Sequence, residues 1–125
     1  MYQEDYIIRK IQMLGRAIAR FVFRKDVESP ADMQLENAEK REKTNSLLRM
    51  IDCGKIRDAE KELHRMSEDK TMDDLVAGIR FYSYLGVQSE AFLDDHGYND
   101  VDLKLGLRQF ADRFGSKHLA DMMMQ

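Results

Sequence analysis

Three histidines, one cysteine and a late run of acids are the groups of this chain with the chemistry to attack a substrate or hold a metal. A helical metal site needs a second His or Cys three or four residues away on the same face, and none of His64, His96 or His118 has one. His96 stands just before Gly97, where its cation would suit the negative end of a helix dipole. Cys53 has no neighbouring histidine to take its proton and precedes Gly54, a helix-ending residue, where the dipole disfavours a thiolate. The stretch DDHGYNDVD, residues 94–102, has the acids of a calcium loop but not their order: with Gly97 at the turn, Phe92 would come first and Leu103 last. The glycines stand singly, so no phosphate-cradling loop is present. Neither catalytic residues, a metal nor a cofactor is expected, and the chain reads as a non-enzyme.

The concentrated feature is basic instead. In YIIRKIQMLGRAIARFVFRK, residues 6–25, Arg9, Arg16 and Arg20 form a strip continued by Arg24 and Lys25. Residues 1–25 carry six Lys and Arg against Glu4 and Asp5, a balance of +4, which leaves −7 for the remainder of a chain whose net charge is −3. Such asymmetry favours attraction between the two parts, within one chain or between copies, while an overall acidic protein lacks the broad basic footprint of a nucleic-acid binder. The strip is therefore a candidate partner-binding surface for protein or peptide, and nucleic acid is the disfavoured partner. Wound at 100° per residue, Ile7, Ile11, Leu14, Ile18 and Phe21 line one stripe at spacings of four and three. Ile8, Gly15, Ala19 and Val22 widen it on one flank, Tyr6 and Ala17 on the other. So wide an apolar arc implies cover from two sides, one by a later hairpin of the same chain and one by something else. A second copy would meet Ile8, Gly15 and Val22, giving a homodimer.

The elements that must position these groups are helical. The 125 residues fit one domain with a real core, and 43% hydrophobic against 34% charged, with seven Gly and one Pro, suits a helical protein. After the basic amphipathic segment 1–25, Ser29 can cap and Pro30 can open a second helix; its first half is solvated, and its second half supplies Leu47, Leu48, Met50 and Ile51 before Gly54 ends it. Ile56, Ala59, Leu63 and Met66 mark a third helix folding straight back. Thr71 with Asp74 approximates a capping box opening a fourth, with Leu75, Val76, Ile79, Tyr82 and Leu85, closed by Gly86. A short helix holds Phe92 and Leu93 and ends at Gly97; Asn99 and Asp102 cap a long one carrying Leu103, Leu107, Phe110 and Phe114, stopped by Gly115. Gly78 and Gly106 fall inside helices, where close helix approach would explain them. The expectation is all-α, six or seven helices stacked as antiparallel hairpins over 31–115, the first helix as central spine and 116–125 as a tail. No window reaches 18 apolar residues without charge, so no membrane span is expected. A lone cysteine and a start without a secretory signal point to the cytoplasm.

Gly54, Ile56, Ala59, Leu63 and Met66 resemble the second half of a tetratricopeptide unit, where a turn glycine precedes a large residue and a small alanine. Lys43, Ser46 and Leu47 stand where that family has Trp, Leu and Gly, and Thr71 where it has Pro, so the resemblance covers one hairpin, residues 44–68, and implies no repeat array. The start MYQEDYIIRKIQMLGRAIARFVF and the ending SEAFLDDHGYNDVDLKLGLRQFADRFG are also similar to a small bacterial family of all-helical proteins known only as a domain of unknown function. That similarity implies a tetratricopeptide-like helical fold and no activity. The function expected is thus a non-enzymatic interaction or scaffolding module. Two alternatives stay open: a small-ligand carrier or enzyme with an inter-hairpin pocket lined by Phe81, Tyr82, Tyr84 and His96, and a nucleic-acid-associated regulator using the basic first helix.

Overall fold

The computed structural model describes residues 3–27 and 33–123, and these are all-helical, with no strand among them. The helices are α1 (Gln3–Val22), α2 (Ala38–Asp52), α3 (Ile56–Met66), α4 (Met72–Gly86), α5 (Glu90–Asp95), α6 (Asp100–Arg113) and α7 (Lys117–Met123). The tail residues Lys117–Met123 are the last of these and pack on α6 and α1.

Local chemistry accounts for most boundaries. Thr71 and Asp74 exchange side-chain and backbone bonds in a capping box at the start of α4, and Asn99 and Asp102 do the same for α6. Three helices end the same way. After α2 the Lys55 N–H reaches the Met50 carbonyl and the Gly54 N–H that of Ile51; Tyr98 and Gly97 repeat this after α5, Ser116 and Gly115 after α6. In each, the glycine takes the left-handed conformation the turn requires, at φ 81°, 67° and 74°.

Two expected boundaries differ. The Ser29 cap and Pro30 start lie outside the described residues, and α2 begins later, at Ala38, where the Asn37 side chain accepts from the Lys40 N–H. The stretch before it is pinned rather than helical: Asp73 accepts from the Glu36 and Asn37 N–H groups, Arg41 donates to the Leu35 carbonyl, and Leu35 is buried. The second differs only in how it closes: α4 does end at Gly86, but without a left-handed turn, and the missing side chain lets Ile7 and Ile8 of α1 come close.

The wide apolar arc of α1 predicts a central spine there, but that place belongs to α4, which packs against α1, α2, α3 and α6 and buries ten of its fifteen residues. Gly15 of α1 meets Ile79 while Ile7 meets Gly86, so the two helices run antiparallel. On the other side Gly78 admits the Phe110 ring of α6, where a Cβ would fall inside the ring. The core is continuous from Ile11, Leu14 and Ile18 through Leu75 and Phe81 to Leu107 and Phe110. At its polar edge the buried Asp74 carboxylate pairs with Lys40.

Candidate functional site

Helix α1 is amphipathic in two senses. Ile7, Ile11, Leu14 and Ile18 point inward, whereas Tyr6, Met13 and Phe21 are 55%, 47% and 63% exposed. These three lie within about 80° of one another around the axis, and Arg9 and Arg20 stand exposed on the same face. The Lys10 ammonium sits 4.4 Å above the Tyr6 ring, and Arg20 is 4.0 Å from Asp26 at the surface. Phe21, expected in the buried stripe, faces outward because the helix is closed one residue later at Val22. Ala19 there accepts from both the Phe23 and Lys25 N–H groups, with Arg24 left-handed at φ 58°.

The residues expected to meet a second copy do not share one open face. A Cβ on Gly15 would lie 2.8 Å from Ile79 Cγ1, so α4 occupies that position; Ile8 is half-buried beside Gly86, and Val22 is exposed at the helix end. The expected pocket quartet is likewise dispersed. Phe81 and Tyr82 are fully buried, with their rings edge-to-face at 5.1 Å. Tyr84 donates to Asp52 at 2.5 Å on the surface. His96 caps α5, its Nδ1 2.8 Å from the Phe92 carbonyl and its ring over Gly54.

In place of that pocket the fold holds a carboxylate the sequence reading passed over. Glu60, one turn after Ile56 on α3, accepts from the Tyr82 hydroxyl at 2.7 Å and the Tyr98 hydroxyl at 3.1 Å on the same oxygen. Gly106 makes the space, since a Cβ there would strike the Glu60 carboxylate and stand 2.9 Å from the Tyr82 hydroxyl. Arg57 closes the cluster: it donates to the Gly97 carbonyl at 2.7 Å, lies 3.3 Å from Asp102 and covers the Tyr98 ring. Burial raises the Glu60 pKa against the opposing pull of the two tyrosines and Arg57, and both tyrosines are raised in turn by burial and by the carboxylate. None of the cavities described below is lined by Glu60, so the cluster serves as a polar tie between α3, α4 and α6.

Several cavities flank α1, among them two open hollows around Arg20, Phe21 and Asp26 at its C-terminal end. An open groove of about 540 Å³ at its N-terminal end has apolar lining from Ile7, Leu93 and Leu103 and acids at Glu90, Asp94 and Asp100. A smaller one of about 140 Å³ lies along the α1–α4 seam, lined by Gln12, Arg16, Met33, Val76, Ile79, Arg80 and Ser83. Among the described residues no group of three His, Cys, Asp or Glu could hold a metal, and no helix is long and apolar enough to cross a membrane. Cys53 is exposed at the end of α2.

Residues 1–115 match the family of unknown function DUF6483, and the chain belongs to it. No curated protein and no solved structure matches the chain.

Proposed function

We propose that this member of the family is a non-enzymatic interaction module that binds protein or peptide, docking over the outer face of α1. One observation carries the reading: Tyr6, Met13 and Phe21 stand exposed beside Arg9 and Arg20 on a helix whose inward stripe of Ile7, Ile11, Leu14 and Ile18 is buried. Tyr, Met and Arg are the residue types enriched where proteins meet, and clustered exposed apolar side chains mark such places. A second copy is the first partner to consider, because the acidic groove at the N-terminal end of α1 complements the cations at its C-terminal end. The tetratricopeptide-like character of the α2–α3 hairpin and a cytoplasmic setting, in keeping with the lone exposed Cys53, belong to the same reading.

The test is a photo-crosslinking residue placed at Met13 in the full-length protein, read in cell extract beside light scattering across micromolar concentrations. Discrete crosslinked species would support docking at this face, whereas their absence would remove it. Scattering that gives a monomer throughout would remove the dimer alone. A small-ligand carrier is the second reading, favoured by the 540 Å³ groove; occupancy of that groove would show as a rise in melting temperature with a cationic, partly apolar ligand and no rise after Leu93→Glu.

A further inference from the structure

The seam between α1 and α4 holds a small recess bordered by both helices. Its cavity is near the size of the roughly 150 Å³ space that accommodates one benzene ring, and apolar side chains of Val76 and Ile79 line it. The Ser83 hydroxyl borders it, buried and without a hydrogen-bond partner among the described residues, a group that is costly to leave unmatched. Cations gather beside it: Arg80 from α4 and Arg16 from α1 line the cavity. Arg9 stands two turns back on α1, about 10 Å from Arg16 along the axis. Neither Arg9 nor Arg80 has an ion-pair partner among the described residues.

We infer that this seam is the docking site for an acidic peptide that inserts one aliphatic or aromatic side chain between Val76 and Ile79. Its flanking carboxylates lie against Arg80 and the arginines of α1, and a polar group of its backbone satisfies the Ser83 hydroxyl. Charge selects the peptide, since positive side chains on both helices border one small apolar recess, and the recess supplies the anchor that a flat basic surface would not. A recess of this size open to the surface suits a single side chain of an extended chain. The inference rests on the reading that the protein binds peptides, and it names a second site and a partner chemistry.

The probe is a fluorescein-labelled acidic peptide with a single central leucine, titrated with the intact protein and followed by anisotropy. Replacing that leucine by serine in the peptide is expected to weaken binding at least about tenfold, a comparison that leaves the protein unchanged. Arg80→Glu is expected to weaken binding about tenfold and to lower its salt dependence, Arg80→Lys to retain most of it, and Ser83→Met, which fills the recess, to abolish it. The exposed-face variant Met13→Glu should leave binding unchanged. Absence of binding by the acidic peptide, or equal binding by a lysine-substituted version, overturns the seam as its site. Loss of binding with Met13→Glu but not with Arg80→Glu also overturns the seam while leaving the outer face of α1 as a docking surface.

Discussion

Helices α1 and α4 are both rich in apolar residues, yet one is buried nearly all round and the other on one side only. Around α4 neighbours approach at glycines, with Phe110 at Gly78 and α1 at Gly86, and the acidic first turn is consumed by a capping box and the pair with Lys40. On α1 there is a single such notch, Gly15, on the side that meets Ile79; the opposite side carries arginines and three large exposed apolar groups. Apolar content therefore did not decide burial. The position of the small residues did, because a helix can be covered closely only where a neighbouring side chain has room to enter.

The largest expected effect on this contrast comes from Asp74→Ala. It removes a buried carboxylate that caps α4 and pairs with Lys40, and should cost about 3 kcal/mol in urea unfolding. Gly78→Ala comes next. Alanine is the better helix former, but its Cβ collides with Phe110, and a net loss of about 2 kcal/mol is expected; a gain would refute the idea that glycines mark the covered faces of α4. Glu60→Gln probes the tie to α3 through pH. Burial raises the Glu60 pKa from 4.5, so folding favours the protonated form. That contribution is fully present below about pH 4.5 and is lost as pH rises through the folded value. Urea midpoints of wild type should fall relative to Glu60→Gln on raising pH from 4 to 8. The separate contribution of His64, lowered from 6.5 by burial and by Arg113, appears in both proteins and cancels from the difference. Smallest in stability is Met13→Glu, expected to change it by less than about 0.5 kcal/mol in urea unfolding; a large loss would show that the face is not bare.

Legibility followed sequence distance. The capping boxes at Thr71 and Asn99 and the turns at Gly54, Gly97 and Gly115 could be read from neighbouring residues because their bonds close within six positions. The non-helical stretch before α2 could not, since the Asp73 carboxylate that holds Glu36 and Asn37 lies 37 and 36 residues away. Glu60 is held by hydroxyls 22 and 38 residues away, and the trace of its burial in the sequence is Gly106, a glycine inside α6. The breadth of the apolar arc on α1 was evident, but an arc does not record what covers it, so the central position was assigned to the wrong helix. Of the α1 strip, Arg9 and Arg20 emerge exposed and Arg16 on the seam with α4, whereas Arg80 and Ser83 carried no signal until α4 brought them beside it.

The adjacent carboxylates at the head of α4 face different tasks: Asp74 closes its own helix and grips Lys40, while Asp73 holds the two amides just ahead of α2. Two stretches far apart in the chain are thereby latched at one point. Amide exchange at Asn37 and at Asp74 should proceed through a single shared opening, with neither end fraying alone.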